Sequence, residues 1–191
     1  MLLFGMATPN ERRWTQFTCT TQLFRCHVIL TGEEIAHLSF AAEARTMALD
    51  FLSKNNITVG QLPSHLPLAS RLREILSDYA AGRRHTLPAP YLDSPFWRQG
   101  TPFQRRVWTE IGRIPYGTTR TYGELAARLG NPGCARAVGQ ACHANPLALV
   151  IPCHRVVAAH GLGGFAADIE IKQGLLALEK SAKNDAAGRR H

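Results

Sequence analysis

Alternation of apolar and polar positions governs the start of the chain, and residues 15–21, 25–30 and 35–40 each read as a short strand. Thr31-Gly32-Glu33-Glu34 separates the last two as a hairpin turn. The period then lengthens. Ala44, Met47, Phe51 and Leu52 fall at helical spacing within residues 43–54, which Asn55-Asn56 ends. Leu72, Ile75, Leu76 and Tyr79 share one face of a second helix, residues 68–81, with Gly82 just past its end. Residues 83–100 carry Pro88, Pro90 and Pro95 with little periodicity and are expected to form a linker.

The second half is mostly helical in pattern. Thr101-Pro102-Phe103-Gln104 is a capping box with proline at the first helical position. It opens a helix to about residue 114 that buries Phe103, Val107, Ile111 and Ile114, and Pro115-Tyr116-Gly117 stops it. Thr121-Tyr122-Gly123-Glu124 is a second capping box, opening a short helix through Leu129 that Gly130 closes. Asn131-Pro132 caps a further helix to about His143. Two short helices around a tight glycine turn predict a helix-turn-helix. Cys134, Val138 and Cys142 form its inward stripe, and Arg136, Gly139, Gln140 and His143 lie on another face. Residues 147–151 read as a buried extended run, Gly161 to Gly164 as a flexible loop, 169–178 as a closing helix, and 181–191 as a polar, disordered tail.

The 191 residues suit one domain or two small ones, and 45% hydrophobic content supports real cores. No apolar run approaches the roughly 20 residues of a membrane span, and the apolar start, Met1 to Met6, is too short for a secretory signal. Five cysteines without such a signal imply free thiols in a reducing compartment. Cys19, Cys26, His27 and His37 make a poor zinc set. Cys26 and His27 are adjacent in a strand, so they face opposite ways, and there is no CxxC pair. Net charge is +8, concentrated late: residues 96–180 hold ten basic and five acidic groups, against nine and eight in residues 1–95. That distribution suits a polyanion such as DNA.

The candidate chemistry lies in Ile151-Pro152-Cys153-His154-Arg155-Val156, where three reactive or charged side chains interrupt an apolar segment. Cysteine reacts as its thiolate, and a neighbouring imidazole and guanidinium are expected to stabilise it. A cysteine hydrolase needs a separate histidine and an oxyanion hole, which nothing in the sequence marks. Pro-Cys-His-Arg-Val resembles the active-site signature of the O6-alkylguanine-DNA alkyltransferases. The upstream run RTYGELAARLGNPGCARAVG, Arg120 to Gly139, is similar to that family's DNA-binding segment, and Asn145-Pro146 follows at the expected distance.

The resemblance, from about Gly100 to Glu179, implies an α+β protein with residues 1–95 as a ribonuclease-H-like α/β domain and linker. Residues 96–180 become a winged-helix-like DNA-binding domain. The implied function is DNA repair by irreversible, single-turnover transfer of an alkyl group from O6-alkylguanine, or O4-alkylthymine, to Cys153. The alternative is a non-catalytic lesion-binding or regulatory protein on the same fold, and the intact Cys153 argues against it. By the same resemblance His154 is the base acting through a water, Glu179 orients it, and Asn145 braces the turn between recognition helix and site. Tyr122 serves the departing guanine or its phosphate, and Arg136 fills the stack vacated by a flipped base. Ala135, Gly139, Arg155, Val156, Phe165 and Ala166 complete the substrate and DNA contacts. No cofactor or metal is implied. The partner is double-stranded DNA held from the minor groove by a monomer, in the cytoplasm of a prokaryote or the nucleus of a eukaryote. Ala166, Asp168 and Gly174 depart from the family pattern, which has a hydroxyl, a glycine and a tryptophan there.

Overall fold

The structure, a computed structural model, describes residues 13–63, 67–88 and 94–188, with side chains through residue 182. It is a mixed α+β fold. Strands β1 (Trp14–Thr20), β2 (Arg25–Thr31), β3 (Glu34–Ser39) and β4 (Val59–Gln61) form one sheet in the order β3-β2-β1-β4. The first three pair antiparallel through short turns, as their alternation predicts. β4, which the sequence pattern did not reveal, pairs parallel with β1. A parallel neighbour needs a long crossover, and helix α1 (Ala42–Lys54) supplies it. β2 is central and buried on both faces: Val28 and Leu30 enter the main core, Ile29 a smaller cluster with Trp14, Ala48, Leu52 and Phe96. Helix α2 (Pro67–Ala80) buries Leu72, Ile75, Leu76 and Tyr79. Met47, counted on the apolar spacing of α1, is 72% exposed.

The expected linker contains structure. Ser94 caps a short helix, α3 (Pro95–Gln99), accepting from Trp97 N at 3.2 Å, and Phe96 anchors it in the smaller cluster. Residues 89–93, with Pro90, lie outside the described residues. Helices α4 (Pro102–Gly112) and α5 (Tyr122–Arg128) both start with complete capping boxes, Thr101 with Gln104 and Thr121 with Glu124. A two-residue strand, β5 (Arg120–Thr121), precedes α5 and pairs parallel with β6 (Val156–Val157), just past Cys153. Between α5 and α6 (Ala135–His143) the chain makes a 3-10 turn, Pro132–Cys134, capped by Asn131. Cys134 is therefore only half-buried, while Val138 and Cys142 point inward.

Two further expectations fail. Residues 147–151 are a buried tight turn rather than an extended run, with Ile151 N donating to Leu147 O at 2.8 Å. Helix α7 (Ile169–Gly188) runs ten residues beyond the expected end, so residues 181–188 of the supposed disordered tail are helical; 189–191 lie outside the described residues. Gly174, on α7, faces the β1–β2 turn, where the tip of the Leu23 side chain occupies the space that a Cβ would need. A leucine from the first half thus sits where the resemblance places a tryptophan. Asp168 directly precedes α7, where negative charge suits the helix dipole.

One contiguous core joins both halves of the chain, from Phe17, Val28 and Leu38 to Val107, Val138, Leu147 and Leu175. The backbone joins them too. Leu38 N donates to Pro146 O and Ala148 N to Leu38 O, both at 2.9 Å, tying sheet edge β3 to the turn that leads to Cys153. Among the described residues no helix is long and apolar enough to cross a membrane, and no three or more His, Cys, Asp or Glu side chains cluster as metal ligands.

Candidate active site

Cys153 begins a 3-10 turn, Cys153–Arg155, whose three side chains are all buried. The turn before it sets its position. Asn145 bridges that turn: Nδ2 donates to Ile151 O at 2.8 Å and Oδ1 accepts from Leu147 N at 3.0 Å. Leu149, between those anchors, holds φ at 66°, a left-handed conformation uncommon outside glycine. Both ends of the turn are thus held by the one Asn145 side chain.

Cys153 sits in a cavity of about 340 Å³ lined by Tyr122, Ala135, Arg136, Gly139, Cys142, His143, Gly164, Phe165 and Ala166. The cavity lies between the recognition-type helix α6 and the loop after β6. Tyr122 spans the gap, its hydroxyl donating to Gly164 O at 3.2 Å. Burial, then the neighbouring Cys142 and Cys153, push the Tyr122 hydroxyl up to about 12, so it carries its proton at neutral pH. Gly163 has φ of 70°, and a Cβ there would press on the Tyr122 ring at 2.8 Å. Only glycine lets the loop close over this tyrosine. Phe165 packs on Phe40 of the first half, ring centroids 6.0 Å apart.

Behind Cys153, three segments converge on one carboxylate. Glu179 of α7, 1% exposed, accepts from His154 Nε2 at 2.8 Å, from Arg155 Nε and Nη2 at 2.9 Å, from Tyr79 Oη at 2.9 Å and from Gly117 N at 2.9 Å. Burial alone would raise this carboxyl, but the His154 and Arg155 donors outweigh it and hold it at about 2. Facing an ionised carboxylate, His154 Nε2 carries the proton. Nδ1 is then the ring nitrogen able to accept one; it is buried and has no hydrogen-bond partner among the described residues. Burial lowers the imidazole's basicity against the pull of Glu179, so His154 rests neutral.

The thiol differs from the expectation built on its sequence neighbours. Arg155 turns away to Glu179 and to Ile114 O, at 2.8 Å, while His154 turns its Nε2 to Glu179. Burial pushes the Cys153 thiol up, opposed by a hydrogen bond from Asn145 and by the Lys172 charge. Adjacent positions on a 3-10 turn project in different directions, so adjacency in sequence did not place the guanidinium beside the sulfur. Arg155 and Val156 are not among the residues that line the cavity. Arg155 completes the carboxylate cluster, and Val156, fully buried, accepts from Lys172 through its carbonyl.

Lys172 and Tyr79 are functional candidates that the sequence reading missed. Lys172 is 0% exposed, and its ammonium donates to Val156 O at 2.7 Å and Gly164 O at 3.0 Å, stapling the loop that covers Cys153. A signal existed: Lys172, Leu175 and Glu179 fall on one helical face, with two charges where apolar residues belong. On the outer face of α6, Arg136, Gln140 and His143 are exposed. Trp108 Nε1 pins that helix from behind through Ala141 O at 2.7 Å.

The family model described as 6-O-methylguanine DNA methyltransferase, DNA binding domain, matches residues 102–181. A methylated-DNA–protein-cysteine methyltransferase from Methanosarcina acetivorans is 54% identical over 84 residues, 44% of this chain and 54% of that protein. The chain thus spans about half of that relative's length. The Mycobacterium tuberculosis protein of the same name is 40% identical over 140 residues, 63% of this chain and 85% of its own. Among solved structures, Mycobacterium tuberculosis OGT in complex with DNA superposes with a TM-score of 0.70 at 34% identity, covering 88% of this chain and 94% of that one.

Proposed function

Because this chain belongs to the methylated-DNA–protein-cysteine methyltransferase family, we propose that it repairs O6-alkylguanine in double-stranded DNA by moving the alkyl group to Cys153. The observation that carries the reading is the pairing of a buried thiol, on the floor of a cavity beside a helix-turn-helix, with a histidine–carboxylate pair directly behind it. The cavity suits one extruded base, and extrusion is needed because a stacked base hides its O6 substituent.

The chemistry follows from the protonation states. The Cys153 proton leaves through a water to His154 Nδ1, and Glu179 stabilises the resulting imidazolium. The thiolate attacks the alkyl carbon in line, the carbon–O6 bond breaks, and its electron pair stays on the guanine. Tyr122, protonated at neutral pH, gives that oxygen or its ring a proton. The product is a thioether, and among the described residues the one other thiol that lines the cavity, Cys142, is held protonated by burial and so supplies no second nucleophile to cleave it. Each molecule therefore acts once.

Arg136, exposed on α6 at the cavity mouth, occupies the vacated stack, with Ala135 and Gly139 permitting close approach of the helix to the minor groove. The first half, 1–95, is read as ribonuclease-H-like on its parallel β1–β4 pairing. The second, 96–180, is read as winged-helix-like on the β5–β6 pair beside the helix-turn-helix. The protein acts as a monomer. The test is transfer of label from O6-[methyl-³H]methylguanine in duplex DNA to the protein. One equivalent on the peptide containing Cys153 is the expected result; repeated turnover, or label on another cysteine, removes the assignment.

A further inference from the structure

The first half of the chain enters the reaction through one hydroxyl. Tyr79 ends the buried stripe of α2, is 1% exposed, and donates to Glu179 Oε1 at 2.9 Å, the same oxygen that receives His154 Nε2 at 2.8 Å. The position is fixed from several sides. The Tyr79 ring meets Tyr116 edge-on at 6.2 Å; Tyr116 in turn stacks on His85 at 4.2 Å and lies beneath the Arg155 guanidinium at 5.4 Å. A tyrosine placed only to fill the core would be served as well by phenylalanine, whereas this hydroxyl ends on the most heavily hydrogen-bonded carboxylate of the site.

We infer that Tyr79 is a positioning residue of the proton relay, setting how strongly Glu179 draws on His154 and hence the pH at which Cys153 becomes reactive. The inference rests on the relay proposed above. Each donor that Glu179 accepts spreads its charge and leaves less for the imidazolium that forms when Cys153 gives up its proton. Gly117 N donates to Oε2, Tyr79 to Oε1 and Arg155 to both oxygens, and together they hold the carboxylate ionised. Among the described residues the further charged or titratable groups facing this cluster are Tyr116, with His85 stacked on it, and Lys172. Burial, followed by the adjacent carboxylate, keeps the Tyr79 hydroxyl protonated throughout the working pH range, so it acts as a constant donor rather than a titrating member.

Tyr79→Phe removes the donor and keeps the ring. Glu179 then becomes more basic and holds the His154 proton more tightly, so both groups protonate at higher pH. The readout is the rate of Cys153 carboxamidomethylation by iodoacetamide against pH, followed by mass spectrometry. The acid limb of that profile moves to higher pH, by about one unit for the loss of one hydrogen bond to a charged group. Leu76→Ala, a turn earlier in the same buried stripe, lowers the thermal midpoint without moving the limb. Site-specific 3-fluorotyrosine at position 79 preserves the packing and supplies a more acidic, stronger donor, so its limb moves to lower pH. An unshifted limb in both Tyr79 variants would overturn the inference and leave Tyr79 as packing alone. Iodoacetamide needs no DNA, so a wild-type protein that fails to take label from alkylated DNA sinks the proposed function while this readout still decides the role of Tyr79.

Discussion

The two sides of the candidate site are built on opposite principles. On the inner side, Glu179 is buried and collects donors from α2, the turn after α4, and the 3-10 turn that carries Cys153. On the outer side, Arg136, Gln140 and His143 project from α6 into solvent. The inner side is over-determined: each polar group fixes the others, and a buried charge left without its partner is costly. On the proposed function the outer side is left adjustable, because a surface that accepts many DNA sequences gains from charge and close approach rather than from fixed partners. Damage to the inner side should therefore cost chemistry and stability together. Damage to the outer side should cost only grip on DNA.

The largest effect expected is at the nucleophile. Cys153→Ser should give no detectable transfer, since a serine hydroxyl near neutral pH is almost wholly protonated and a weaker nucleophile. Its binding to O6-methylguanine duplexes, measured by fluorescence anisotropy, should survive, because the outer side is untouched. Loss of binding along with transfer would show that the two sides are not separable.

Glu179→Gln comes next. The substitution leaves Arg155 buried without its carboxylate and gives His154 a neutral amide oxygen in place of a charged acceptor. Transfer should fall by roughly 10²–10⁴-fold, the usual scale for a general acid–base group. Unfolding should be easier by about 3–5 kcal/mol, the cost of breaking a buried ion pair, as urea titration will show. A variant that loses rate but keeps its stability would mean that the carboxylate orients the relay without holding the fold.

How much of this contrast could be read in the sequence follows from the range of the contacts. The outer side was legible because it is local: the Thr101 and Thr121 capping boxes fixed two helix starts, and the spacing from Asn131 to His143 placed Arg136 on an outward face. Cys153, His154, Glu179 and Asn145 came from motif resemblance and not from periodicity. The rest of the inner side was hidden. Tyr79 and Glu179 are 100 residues apart in sequence, and Arg155 reaches Ile114 O across 41. Periodicity reports that Tyr79 is buried but not what its hydroxyl meets. The strands β4, β5 and β6 are only two or three residues long, too short for any alternation to register. The turn at 147–151 was misread because its apolar residues are buried, as a strand's are, while its shape comes from the side chain of Asn145.

Arg136→Ala tests the outer side and should have a smaller, more selective effect. A stack left unfilled costs on the order of a few kcal/mol, so repair of duplex DNA should slow by about 10–100-fold. Reaction with free O6-methylguanine base should change little, and the thermal midpoint should match the wild type. Equal losses on both substrates would place Arg136 in the chemistry and erase the distinction between the two sides.

The smallest effect is a difference in how stability depends on pH. Glu179 is held at about 2 against an ordinary 4.5, and His154 is lowered from 6.5 by burial. For both groups the folded form binds its proton less readily than the unfolded chain does. Their contribution to stability is therefore complete above the unfolded values and is lost as pH falls, for His154 from about 6.5 downward and for Glu179 between 4.5 and about 2. Calorimetry from pH 7.5 to 4 should show the thermal midpoint falling on acidification, by about 2–4 °C for each kcal/mol lost in a chain of this size. His154→Gln, which cannot take up the proton, should flatten the upper part of that curve. Arg136→Ala should reproduce the wild-type curve throughout, because Arg136 is exposed on the outer face and makes no contact with the buried cluster around Glu179. If His154→Gln keeps the full wild-type slope between pH 6.5 and 5, the acid sensitivity arises outside the relay, and the inner side is less tightly coupled to the fold than its hydrogen bonds indicate.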